Sequence, residues 1–317
     1  MRKRLFLAAL AAIVGTATAI AQQIAVVSEG GGTNVFQTLT EAIEGASDGS
    51  VIYLPGGGFQ IDDSVKITKR LTIIGIGHKA KNENVDGNTV ISGSLFFNEG
   101  SSGSSVMGCY ISGDVYIANG GGKVDNIIIK LCNVHSVHIG NNLSAGTMIN
   151  KCYVREDCEL GASPVNLSNN VLDAIRNVNG GTIVNNIVVG TVASFNQNSV
   201  RDVNNSNLTN NVIRYNVYAS SGNVATGNLF AVSIFGDNAT QVDYSNLFVN
   251  PSPGVSPSAD YHFTEDYQQY SDCGIYGGTG FSDGALPPVP FIVAKSIPEQ
   301  TDASGNLNIK IRVKAGE

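Results

Sequence analysis

The sequence predicts an all-β chain wound as a stacked, single-stranded solenoid of about ten rungs. An N-terminal capping helix and a short C-terminal strand pair complete it. Three observations predict this. The first is a degenerate repeat: an apolar residue, two spacers, a Cys or Asn, then two mostly apolar positions. It centres on Cys109, Cys132, Cys152, Asn170, Asn186 and Asn211, with looser copies on Asn228 and Asn246. The steps between centres are 23, 20, 18, 16, 25, 17 and 18 residues. A variable period near 20 with a fixed corner is what stacked coils produce, because the corner must recur while outward loops change length. The second is composition: only 14% of residues are charged, Gly numbers 37 and Trp is absent. The third is that Thr89 to about Asn250 shows short β-rich pieces between Gly, Asn, Ser and Asp, and no helical period.

The elements follow in chain order. Residues 1–21 read as a signal peptide cleaved after Ala21. Arg2, Lys3 and Arg4 precede an apolar run from Leu5 to Val14, and Ala19-Ile20-Ala21 forms the cleavage site. The apolar run is too short to span a membrane. Its removal takes away three basic residues and no acid, so the formal charge moves from −7 to −10. An acidic chain without Lys/Arg clusters argues against nucleic acid and against anionic membrane surfaces. No later stretch resembles a transmembrane helix. A secreted or cell-surface protein is expected.

Residues 22–286 are assigned to the solenoid and its cap. Phe36 to Ala46 reads as a helix with Phe36, Leu39, Ala42 and Ile43 on one face. Placed before the first coil, it covers backbone that would otherwise recruit another chain. Val51–Leu54, Val65–Ile67 and Leu71–Gly75 read as strands. Val115-Tyr-Ile117 and Val137-His-Ile139 follow the corner at similar offsets and read as a further face, with His138 outward. Asp260–Thr264 and Cys273–Gly278 break the repeat and read as a segment covering the last coil. Leu286-Pro-Pro-Val-Pro290 reads as a stiff linker into an appendage, residues 287–317. There Phe291–Ala294 and Leu307–Val313 form two strands about a turn at Asp302–Gly305.

The corner column has a physical rationale. An inward Asn amide can bond backbone groups and the Asn one rung away, satisfying polar groups that a tight corner would bury. Asn170, Asn186, Asn211, Asn228 and Asn246 are therefore read as structural. Cys109, Cys132 and Cys152 share the column. Rungs about 4.8 Å apart would permit a bridge by distance. Parallel Cβ vectors suit one poorly, so a reduced, buried stack is expected. Five Cys leave at least one thiol unpaired. No spacing matches a zinc site.

For chemistry, the position three after each corner reads Ser112, His135, Arg155, Asp173, Val189 and Arg214. His135, Arg155 and Asp173 are the catalytic candidates. Glu156, Asp157, Arg176 and Tyr153 are candidates for binding. The competing reading of Arg155 and Asp173 is an outward salt bridge on a solvated face. No nucleophile elbow, phosphate loop or metalloprotease motif is present.

Four features together resemble the secreted bacterial right-handed parallel β-helix proteins of the pectin-lyase-like superfamily. They are the helix-to-strand start Leu39–Leu54, the strand Leu71–Gly75, the Asn corner ladder, and the closing Tyr261–Thr264 with Cys273–Gly278. The resemblance spans Phe36 to Gly278 and implies right-handed coiling. It implies no single activity, because the superfamily holds polysaccharide lyases, glycoside hydrolases, esterases, adhesins and proteins of no known reaction. Its lyases hold calcium on carboxylates and use an Arg or Lys base. Here no dense Asp run matches that cradle, and the Asp pairing of the related hydrolases is missing. Asp62-Asp63 lies near the N-terminal cap, away from the groove. Three readings follow: a non-catalytic surface protein that associates with polysaccharide, a lyase or hydrolase with an unusual site, and a structural or adhesin-like protein whose C-terminal strands join a surface partner. No cofactor and no metal are expected, save calcium under the lyase reading. A monomer is expected.

Overall fold

The computed structural model describes residues 23–79, 87–190, 198–219, 221–232, 234–281, 290–296, 304–306 and 310–315. Among them the protein is predominantly β, with two long parallel sheets and no closed barrel. The signal-peptide assignment, most of the linker and Leu307–Ile309 lie outside the described residues.

Most passes of chain supply one strand to each of three rows; the first pass reaches the third row only as a bridge, Ile67 to Phe97, and the last ones supply it no described strand. The first row runs Val51–Tyr53, Thr72–Ile74, Ser105–Met107, Ile128–Lys130, Thr147–Asn150, Val165–Ser168, Thr182–Val184, Asn207–Thr209 and Val224–Thr226, parallel and in register. The second row starts at Gly57–Gln60 and Thr89–Ser92 and ends at Leu229–Phe230 and Thr240–Gln241. The third runs from Leu95–Phe97 through Val115–Ile117 and Val137–Ile139 to Asn198–Asn204 and Asn216–Ala219. Two long strands, Tyr153–Ser163 and Val171–Asn179, pass from the second row into the third through a bulge, which merges these rows into one sheet.

The interior follows from alternation. In Val115-Tyr-Ile117 the two aliphatics are fully buried and the tyrosine between them faces outward. The same alternation in every pass stacks Ile73, Val106, Ile129, Ile149, Leu167, Ile183 and Leu208 into one continuous core. The corner before the second row is set one residue ahead of each ladder side chain. Gly108, Leu131, Lys151, Asn169, Asn185, Asn210 and Gly227 all have φ between 52° and 67°. Asn and Gly tolerate this left-handed conformation best, which explains the Asn-Asn pairs of the repeat.

The helix, α1, spans Leu39–Gly45, shorter than Phe36–Ala46. Its start is fixed by a capping box: Thr38 Oγ1 accepts from the Glu41 amide and Glu41 Oε2 accepts from the Thr38 amide. Phe36 instead ends a strand, Thr33–Phe36, in an antiparallel hairpin with Ile24–Val27. That hairpin pairs with Val51–Tyr53, so it shares with α1 the covering of the first coil.

The closing segment is also corrected. It does not sit across the last coil. After a four-residue helix, α2 (Tyr244–Leu247), and the hairpin of Phe248–Asn250 with Asp260–Phe263, the chain runs back along the outside of the second row. There Tyr153, Val171, Ile187, Val212 and Leu229, the outward residues of that row, form a second core with Phe248, Tyr261, Ile275 and Phe281. Bonds tie this strap to successive rungs: Gly274 N to Asn210 O at 2.8 Å, Asn169 Nδ2 to Ile275 O at 2.9 Å, and Lys151 Nζ to Thr279 O at 3.2 Å. At the C-terminus, Pro290–Ser296 and Lys310–Ala315 pair antiparallel; the first strand starts one residue before Phe291 and ends two beyond Ala294, and the second ends two beyond Val313.

Candidate functional site

The corner column is a hydrogen-bonded ladder from Cys132 to Asn228. Asn170 Nδ2 donates to Ile149 O at 2.8 Å and to Asn186 Oδ1 at 2.9 Å; Asn186 Nδ2 donates to Leu167 O and Asn211 Oδ1, both at 3.0 Å. Asn211 repeats the pattern with Ile183 O and Asn228 Oδ1. Thiols take the amide's place further up: Cys152 Sγ donates to Ile129 O at 3.5 Å and accepts from Cys132 N at 3.4 Å. All five cysteines are free and buried. Burial pushes the Cys132 thiol up to about 12, which keeps the proton that the ladder uses. Asn246 does not belong to the column. It lies exposed on α2 and donates to Asp243 Oδ2 at 2.8 Å.

The expected His135/Arg155/Asp173 patch divides, and the bulge is the reason. Val154 pairs with Leu172 but Asp157 pairs with Ala174, so Arg155 and Glu156 together stand opposite Asp173. Glu156, not Arg155, then follows His135: its amide donates to His135 O at 2.8 Å. Arg155 turns back toward earlier rungs. Its guanidinium lies 4.6 Å from the Tyr110 ring, bonds Asn133 Oδ1 at 2.5 Å, and donates to the carbonyls of Ile111 and Ser112. Desolvation lowers its pKa from the usual arginine value. Asp173 is fully buried and is no surface acid. Tyr153 is also closed off, beneath the strap between His78 and Phe281.

His135 finds a different setting. Its Nδ1 lies 2.8 Å from Asp114 Oδ1 and its Nε2 3.4 Å from Glu156 Oε1. Only the protonated ring can donate to both. Asp114 also accepts from Tyr116 OH at 2.9 Å and faces His138 Nε2 at 3.6 Å. Burial raises the Tyr116 pKa, with the Asp114 bond acting in the same direction. Next along, Arg176 Nη1 pairs with Asp157 Oδ2 at 3.0 Å, the arginine side chain only 5% exposed. Burial raises the Asp157 pKa against the pull of Arg176, and Asp173 raises it further.

These residues flank one in-register row along the third face, in which Phe96 and Arg176 are buried and the others reach solvent. The pairing places Phe96, Tyr116, His138, Glu159, Arg176, Arg201 and Tyr218 on seven consecutive passes in register. Phe96 stacks on Tyr116 with centroids 4.8 Å apart, Tyr116 on His138 at 5.1 Å, and Lys66 Nζ sits 3.2 Å from the Phe96 centroid. Six steps of about 4.8 Å make the row about 29 Å long. Sequence reading reached Tyr116, His138 and Arg176, but Phe96, Glu159, Arg201 and Tyr218 were missed. The signal was there in the offsets of Val115-Tyr-Ile117 and Val137-His-Ile139; the bulge shifts the count at the next pass. Among the described residues no group of three or more His, Cys, Asp or Glu side chains is placed to hold a metal ion, and no helix is long and apolar enough to cross a membrane. Comparison of the chain with family models, with curated proteins and with solved structures gave no match.

Proposed function

We propose that the protein is an exported right-handed parallel β-helix of about ten rungs that associates with polysaccharide along its third face. One observation carries this reading: Tyr116, His138, Glu159, Arg201 and Tyr218 reach solvent along one in-register row, of which Phe96 and Arg176 are the buried members. Tyr116 lies stacked between Phe96 and His138 and offers a ring edge, Tyr218 is open to solvent, and carboxylate and guanidinium groups bond sugar hydroxyls at fixed directions. A straight row about 29 Å long suits an extended polymer better than a small ligand. The leader-like residues 1–21 support export. The test is an affinity gel with residues 22–317 over plant, host and bacterial polysaccharides. Retardation by at least one glycan is expected, weakened about three- to tenfold in Tyr116→Ala, the size of a lost aromatic contact. Retardation unchanged in both Tyr116→Ala and Arg201→Ala would remove the third face from the proposal.

A second reading, a hydrolase or lyase, is favoured by the His135 geometry. An imidazole fixed through Nδ1 by one carboxylate, with a second near Nε2, is arranged to move protons. Release of reducing or unsaturated ends, abolished in His135→Ala, would establish it.

A further inference from the structure

The two ends of the stack differ. The first coil carries an antiparallel hairpin and α1, and its exposed rim is charged: Glu29 pairs with Arg70, and Glu41 and Glu44 face solvent. At the other end the last strands of all three rows, Val224–Thr226, Thr240–Gln241 and Asn216–Ala219, are paired on one side only among the described residues. Beyond the first of them lies only a single bridge, Thr226 to Asp237. Four of the large apolar side chains most open to solvent belong to this last turn: Tyr218, Val224, Val232 and Ile234, each at least half exposed. The strap that could have covered them runs instead along the side of the stack.

We propose that this end is a docking surface for a second copy of the chain, which meets it tail to tail about a two-fold axis. Open strand edges in natural proteins are normally blunted by charge or proline. From Asn216 to Gln241 the sequence has no proline, and Asp237 is its only charged residue. Depletion of charge is the mark of an interface centre. The partner must present a matching uncharged end. The charged first coil does not, since docking there would desolvate Glu29, Glu41 and Glu44. A like end does, and like ends meeting form a closed, isologous pair.

The experiment is sedimentation velocity on the protein from micromolar concentration upward, for wild type, Ile234→Asp, Val224→Lys and Val249→Asp. All three positions are exposed, so circular dichroism spectra at a temperature well below melting should coincide with wild type and exclude misfolding. Wild type and Val249→Asp should sediment at twice the monomer mass; Ile234→Asp and Val224→Lys should weaken the dimer about a hundredfold. A monomeric wild type overturns the proposal. So does a dimer that survives both end variants, a dimer lost equally in Val249→Asp, or growth beyond the dimer with concentration.

Discussion

Asn186 shows how much one side chain holds. Its amide accepts from the Asn170 amide nitrogen and donates to Leu167 O. Asn186→Ala therefore takes the acceptor from two buried N–H groups of Asn170, backbone and side chain, and a donor from Leu167 O, a stranded buried group costing about 1–3 kcal/mol. We expect a loss of about 3 kcal/mol in urea unfolding, against under about 0.5 kcal/mol for Asn246→Ala, which leaves an exposed helix residue. The ladder was legible in the sequence because its determinants are local: an Asn, a left-handed residue before it and apolar residues on either side. Asn246 satisfied that spacing without the left-handed residue before it. His78 was not legible. It is 4% exposed, packs edge-on against Tyr153, and neither ring nitrogen has a partner among the described residues. Burial, helped by Lys79, lowers its pKa to about 3. The folded chain thus holds the neutral ring while the unfolded chain takes a proton below the ordinary value near 6.5. Stability is intact above pH 6.5 and falls as pH drops from there toward 3, by up to about 1.4 kcal/mol per unit. The difference in stability between wild type and His78→Phe, measured from pH 7 to 4, should carry that slope. Parallel curves would show that His78 takes up no proton on unfolding.

At the scale of elements, the strap decides which face of the molecule is available. It shields the outward aliphatics of the second row and leaves Tyr116, His138, Glu159, Arg201 and Tyr218 of the third face in reach of solvent. Its attachments are sequence-distant, among them Asn169 to Ile275 and Gly277, Asn185 to Asp272, and Ile275 itself buried against the row. Sequence periodicity recognises a break in the repeat but not where the broken segment lies, since that depends on pairings about 100 residues apart. The hairpin of Ile24–Val27 was hidden for a related reason: its strands are short and its partner is antiparallel in an otherwise parallel sheet. Ile275→Asp places a charge in the second core and should release the strap without opening the first core. In hydrogen exchange, amides from Gly274 to Gly280 should lose protection while those of Asn170, Asn186 and Asn211 keep theirs. Simultaneous loss in both groups would mean that strap and stack unfold as one unit.

For the whole molecule, the stack imposes an unequal tolerance to change. Every ladder bond and every strand pair requires the corner to return at the same place. Between faces the chain is free to bulge, which is why steps of 16 and 25 residues coexist. The exposed turn at Asn119–Lys123 connects the third face to the next first-row strand and carries no ladder residue. Lengthening it by a few Gly and Ser residues costs only the logarithmic closure entropy, under about 1 kcal/mol. A single residue inserted between Asn186 and Ile187 is different. It moves Ile187 and Val188 by one position, sends the apolar side chains of that strand to the wrong faces and separates Asn186 from its second-row strand. Both cores then lose a member, because Ile187 belongs to the outer one and Val188 to the inner. The long insertion should leave the melting temperature within a few degrees of wild type, and the one-residue insertion should abolish cooperative melting. Equal tolerance of the two would mean that the second row can slip against its neighbours. The Phe96–Tyr218 row would then have no fixed geometry with which to hold a polymer.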